Sequence, residues 1–275
     1  MLVKVSALKK AITLTFLSLK PKAQTSPKPI LLEYISLGTI VTNFRQAAIA
    51  GEFLITAEVA PPKGGNVAHM VEMASCLKGR VHAVNITDGS RAVMRMSPLV
   101  SSVILMQHGI EPVCQFACRD RNRIGLQGDL LGAHALGIHN ILALTGDPIK
   151  AGDYPKAKAV FDLEAVRLLQ IISHLNHGLD GNEKPLPDGA VDLFAGAAVD
   201  PQSKSWSGLQ SRFDRKVNAG AQFFQSQLIS YSEARCGGDY LQKNLLSQEG
   251  IEFKEEHRID LKKYRWQPPL DLMDE

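Results

Sequence analysis

The chain has 275 residues, 45% of them hydrophobic, and a formal net charge of +3. That is enough apolar sequence for one α/β barrel or two small domains, and too little positive charge to mark a nucleic-acid surface. No apolar run approaches the about 20 residues needed to cross a bilayer. Four cysteines, Cys76, Cys114, Cys118 and Cys236, form no CxxC pair and do not space like a disulfide framework. Cys114 and Cys118 lie four apart on one predicted strand and read as core thiols rather than a metal site.

Residues 1–42 read as a basic, disordered extension. Lys4, Lys9, Lys10, Lys20, Lys22 and Lys28 all precede the first acidic residue, Glu33. The basic start and the apolar run at 11–19 resemble a targeting peptide. However, Lys20 closes the run and no small-residue cleavage site follows, so an extension or a start codon placed too far upstream fits better.

Folded sequence begins near Asn43. A short helix is predicted at 44–50, then a strand at 52–60 that stops at Pro61-Pro62. Asn66 is placed to cap a helix through Leu77, with Val67, Met70, Val71 and Ala74 at helical spacing. Further strands are predicted at 81–86, 112–118, 140–144, 191–199 and 222–229. Between them come helices near 98–108, 124–136, 164–174 and 208–219, most ended by glycine. An insertion occupies 151–162. Strands alternating with helices imply a parallel sheet, and a (β/α)8 TIM-type barrel is the first expectation. A doubly wound sheet is the second, weakened by the lack of GxGxxG after the first strand.

Polar residues gather where the strands end. The apolar run 140–144 passes into Thr145-Gly146-Asp147-Pro148, which places a carboxylate at the ligand-bearing end of a parallel strand. On a barrel rim, Glu58, Thr87, Gln115, Asp147 and Gln227 converge. Two carboxylates in one shielded pocket suit a general acid and an electrostatic partner. An amide such as Gln227 can pair with a heterocycle edge. Each also has an ordinary reading. Asp147 can cap a turn, Glu58 and Lys216 can be solvated charges, Gln115 a core amide, and Gln227 a surface amide.

Three pieces resemble the methylenetetrahydrofolate reductase family, in that family's order. They are Ile55-Thr56-Ala57-Glu58-Val59-Ala60-Pro61-Pro62, Leu142-Ala143-Leu144-Thr145-Gly146-Asp147, and Arg215-Lys216-Val217-Asn218-Ala219-Gly220-Ala221 followed by Gln227. The resemblance spans about residues 43–230 and implies a barrel holding FAD at the carboxyl ends of its strands. It implies reduction of 5,10-methylenetetrahydrofolate to 5-methyltetrahydrofolate, with hydride passing from reduced flavin N5 to the one-carbon unit. It makes Glu58 the acid that opens the folate ring, Asp147 the carboxylate beside flavin and folate, and Gln227 a folate contact. Thr87, Gln115, Asp147, Val199 and Lys216 fall at flavin-contact positions. NADH or NADPH is the implied electron donor, with a homo-oligomer or an electron-transfer partner subunit as possible assemblies. The implied setting is cytoplasmic one-carbon metabolism that feeds methionine biosynthesis, with no nucleic-acid or membrane partner.

The chain departs from the common bacterial pattern at three of these places. Thr145 stands where arginine is common, Gln115 where histidine is, and Val199 where tyrosine is. The polar tail 231–275 does not match the family, and only about six of eight strands are recognisable. The barrel is therefore expected to be incomplete, with the first and sixth family strands unpaired at their outer edges. A non-catalytic flavin- or pterin-binding subunit, or a truncated inactive derivative, is the alternative reading. A pterin-binding methyltransferase barrel with a corrinoid partner is a third.

Overall fold

The computed structural model describes residues 12–13, 43–52, 54–200 and 205–226. Seven parallel strands form one sheet: β1 (Ile12–Thr13), β2 (Thr56–Val59), β3 (Ala83–Ile86), β4 (Pro112–Ala117), β5 (Asn140–Leu144), β6 (Phe194–Val199) and β7 (Phe223–Ser226). From β2 to β7, spatial neighbours are also neighbours in sequence, while β1 lies outside β7. Helices α1 (Phe44–Ala50), α2 (Ala68–Ser75), α3 (Pro98–Gln107), α4 (Arg123–Ala135), α5 (Ala165–Asn176) and α6 (Trp206–Asn218) complete the alternation. The six strands β2–β7 with their helices make an incomplete (β/α)8 barrel. Among the described residues, β2 and β7 do not pair, so the sheet is curled but open.

Local chemistry explains most boundaries. The Asn43 side chain accepts from the Gln46 N–H and starts α1, and Gly51 ends it in the left-handed region. Asn122 caps α4 by accepting from two backbone N–H groups, of Ile124 and Gly125. Asn66 accepts from Ala68 instead of serving as the cap itself, and α2 is shorter than its apolar pattern predicted. The strand expected at 52–60 is confined to Thr56–Val59. Ile12–Thr13, inside the stretch read as an extension, pairs with Phe224 and Gln225. The outer edge of β7 is therefore covered there, contrary to the expected bare edge. The predicted tail at 231–275 and residue Gln227 lie outside the described residues.

Alternation of side chains along the strands divides two cores. Outward residues such as Cys114, Phe116, Ile141, Ala143, Ala195 and Ala197 pack with helical Leu126, Leu130, Leu168 and Ile172. Cys114 and Cys118 belong to this layer, as core thiols should, and burial pushes both up to about 12. Inward residues Ala83, Val113, Leu142, Phe194 and Phe223 meet Phe44, Ala47 and Ala48 from α1.

Helix α1 thus plugs the amino-terminal end of the barrel interior. The Phe44 ring lies edge-on to Phe223 at 5.1 Å and to Phe194 at 6.1 Å. Phe194 and Phe223 stack at 5.2 Å. Gly196 makes this possible, since a Cβ there would lie 2.4 Å from the Phe223 ring. The Glu111 carboxylate accepts from the Phe44 N–H and from Asn140 Nδ2, which ties the plug to the mouths of β4 and β5. Phe44→Ala should cost about 3–5 kcal/mol of unfolding free energy in a denaturant titration. A loss below about 1 kcal/mol would show that the plug does not hold the barrel end.

Candidate active site at the strand carboxyl ends

Strand register fixes the heights of the interior residues. In an eight-stranded design with a shear of eight, a level rises about one residue per strand. Glu58 pairs in register with Asn85, and Asn85 with Val113. Rising from there places Gln115 on β4 and Ala198 on β6 level with Glu58. Thr87, two residues past Asn85 on the same strand, lies one level higher. Glu58, Gln115 and Thr87 are thereby brought into one interior region at the carboxyl ends.

Glu58 faces this interior because its neighbours Ala57 and Val59 pack outward against α2 and α3. It is half-buried, and burial alone raises its carboxyl pKa above the ordinary value. No hydrogen bond from a described residue reaches that carboxyl group. A carboxyl group desolvated but not paired with a cation keeps its proton to higher pH, as a general acid must. The Thr87 hydroxyl is buried with no hydrogen-bond partner among the described residues. Such a group costs stability unless something binds to it. Gln115 is buried and presents an amide to the same interior.

The other expected site residues are arranged differently. Asp147 lies at the exposed rim after β5, where it accepts from the Arg91 N–H at 2.7 Å. Arg91 and Ala92 both adopt left-handed φ angles of 58° and 54°. Asp147 thus holds a strained turn in the loop after β3. The insertion after β5 adds a second clasp: Asp153 accepts from Lys63 Nζ and from the Met94 N–H. Lys216 reaches from α6 to donate to the Ala198 carbonyl at 2.6 Å. Burial, followed by Arg212 and Arg215, lowers its pKa. Val199 points outward into the helix-facing core, so its side chain does not face the interior. A flavin contact there would come from the backbone.

Two arrangements escaped the sequence reading. Asp88, just past β3, is ion-paired with Arg121 and accepts from the Ala117 N–H. Arg121 also donates to Asp129. Burial pushes the Asp88 carboxyl up, while Arg121 and the Ala117 N–H pull it back. Arg119, 3% exposed, donates to the Gly89 carbonyl and pairs with Asp120. The polar strand ends Thr87-Asp88-Gly89 and Arg119-Asp120 were visible in sequence, but their pairing was not. The second arrangement is a buried hydrogen bond from Gln225 Nε2 to Asn85 Oδ1, 2.7 Å long. Its signal was a polar residue two positions before Thr87 and another two positions before Gln227.

A cleft of about 580 Å³ opens beside the end of β5, lined by Thr145, Gly146, Phe161, Arg123 and Arg167 among others. Glu58, Thr87 and Gln115 do not line it. Thr145 accepts from the Ala165 N–H and so helps to start α5. The residues present therefore fit a flavin in part. Thr87 has an unused buried hydroxyl, Gln115 an inward amide and Lys216 a half-buried ammonium, whereas the Val199 side chain is turned away.

A family model described as Methylenetetrahydrofolate reductase matches residues 43–235. No curated protein sequence matches the chain. Among solved structures, the chain is similar to the phospho-2-dehydro-3-deoxyheptonate aldolase of Thermotoga maritima, with a TM-score of 0.46 and 10% identity. That match covers 92% of this chain and 66% of the aldolase, just under two thirds of its length. Among the described residues, no helix is long and apolar enough to cross a membrane. The family match extends over more than half of the chain and includes every strand from β2 to β7, and on that basis the protein belongs to the methylenetetrahydrofolate reductase family, whose chemistry is the oxidoreduction of folates.

Proposed function

We propose that this chain binds FAD at the carboxyl ends of β3–β6 and reduces 5,10-methylenetetrahydrofolate to 5-methyltetrahydrofolate. The observation that carries this reading is the interior-facing, half-buried Glu58, whose carboxyl pKa is raised by burial and which meets no cation among the described residues. Thr87, Gln115 and Lys216 would hold the cofactor, with a backbone contribution at Val199. When bound, the flavin supplies the hydride. Glu58 holds a proton for the folate nitrogen and releases it as the five-membered ring opens to a cationic iminium. The negative charge of Asp147 favours that cation, and its bond to Arg91 N–H fixes the rim around it. Gln227 is assigned to the pterin edge. NADH, NADPH or a partner subunit would supply electrons, in a cytoplasmic pathway toward methionine, with residues 43–230 as the reductase unit.

The open edge between β2 and β7 among the described residues favours a second reading: a flavin-binding subunit without turnover of its own. Bound flavin with no folate reduction, restored by a partner, separates it from the first.

Glu58→Gln should lower folate turnover by about 10²–10⁴ while leaving reduction of the flavin by its donor nearly unchanged. Wild-type turnover should fall as pH rises through the elevated Glu58 pKa, and the variant should lack that limb. Equal loss in both half-reactions would make Glu58 structural. Thr87→Val has effects of opposite sign. It should weaken FAD binding by about five- to tenfold, the worth of one hydrogen bond. It should also leave the cofactor-free chain at least as stable, because a buried unpaired hydroxyl is removed. Unchanged FAD affinity would remove Thr87 from the site.

A further inference from the structure

The hydrogen bond between Asn85 and Gln225 crosses the barrel. Asn85 is on β3 and Gln225 on β7, with β4, β5 and β6 between them. In an eight-stranded barrel, strands four apart lie on opposite sides of the axis. The register supports the same geometry. Starting at Asn85 and rising one residue per strand leads to Leu142 on β5 and to Gln225 on β7. These three side chains form one interior level contributed by alternate strands. Asn85 is 1% exposed and Gln225 5%. Asn85 is further fixed by its own amide, which donates to the Ala57 carbonyl beside Glu58 at 3.4 Å.

An interior level of this kind is ordinarily aliphatic. Here two amides replace apolar side chains, in a sheet whose ends do not meet among the described residues. A buried amide pair is directional where apolar contacts are not, so it fixes a distance as well as filling space. The pair lies one level below Glu58 and Gln115. Its two ends are the strand that flanks Glu58 and the strand that leads to Gln227.

We propose that Asn85 and Gln225 are positioning residues, an amide strut across the open barrel that sets the span between Glu58 and β7 and hence the seat of the folate. This rests on the assignment of Glu58 to folate chemistry. Neither amide donates or accepts a proton in the reaction. Their effect is felt as substrate placement, because a substrate bridging two sides of the interior is bound well only at one separation.

The test compares the full wild-type chain with Asn85→Ala, Gln225→Ala, the double alanine variant, and the exchanged pair Asn85→Gln with Gln225→Asn. The exchange keeps the summed length of the two side chains. Flavin retained per chain, KM for 5,10-methylenetetrahydrofolate and hydrogen exchange of the β7 amides are measured on each. Each single alanine variant should raise KM by about tenfold, with flavin retention within about twofold of wild type. The double variant should be no worse than the singles, and the exchanged pair should return KM to within about threefold. Unchanged KM in the singles, or an exchanged pair no better than they are, overturns the strut. If the wild-type chain neither binds nor reduces the folate, the functional assignment has failed by itself. The strut is then decided by exchange at β7: lost protection in the singles and recovery in the exchanged pair support it, and equal protection throughout overturns it.

Discussion

The fold depends on closing one end of a sheet that does not close on itself among the described residues. A full eight-stranded barrel keeps water out by closed strand pairing together with layers of interior side chains. Here the amino-terminal end is stopped by α1, whose Phe44 ring packs on Phe194 and Phe223. Phe194 and Phe223 both present aromatic rings inward against the plug, and Gly196 leaves room for the Phe223 ring. With the bottom filled by apolar contacts and the next level spanned by Asn85 and Gln225, polar side chains are free to collect above. Glu58, Gln115 and Thr87 occupy that upper region. The raised pKa of Glu58 follows from this placement, since the interior desolvates its carboxyl while no cation among the described residues offsets the cost.

The rim is organised by a different principle. Asp88, Asp147 and Asp153 are each committed to neighbouring loops, through Ala117 and Arg121, through Arg91, and through Lys63 and Met94 respectively. Arg119 fits under Gly89, where a Cβ would lie 2.5 Å from its guanidinium. The loops after β2, β3 and β5 are thus joined to one another by charge-assisted bonds. Such bonds are directional and hold irregular backbone in place where no apolar core is available. Asp147 serves the rim directly, through the bond it accepts from the Arg91 N–H.

Much of this was legible in the sequence because barrel strands buried on both faces are short apolar runs bounded by turn residues. The run at 140–144 and its Gly-Asp-Pro turn located β5 to the residue. The helix-ending glycines Gly109 and Gly137 have the left-handed φ that their positions implied. The first and fifth predicted strands were too long. The residues that lead into them lie before the sheet: the N–H groups of Glu52 and Val191 donate instead to the carbonyls of Ala47 and Leu175. Long-range side-chain pairing was not legible. Nothing local to Asn85 announces a partner 140 positions away. Likewise, nothing near Val199 revealed that the strand would present Ala198, not Val199, to the interior. A one-residue difference in facing decides such cases, and only the register settles it.

The central claim is that six consecutive βα strands, plugged below and clasped above, assemble a flavin site. The most direct measurement is the absorbance spectrum of the purified chain between about 350 and 500 nm, taken after incubation with FAD and desalting. The account predicts a retained flavin band, with a stoichiometry approaching one per chain. A desalted chain with no flavin absorbance, yet cooperatively folded by thermal denaturation, would contradict it.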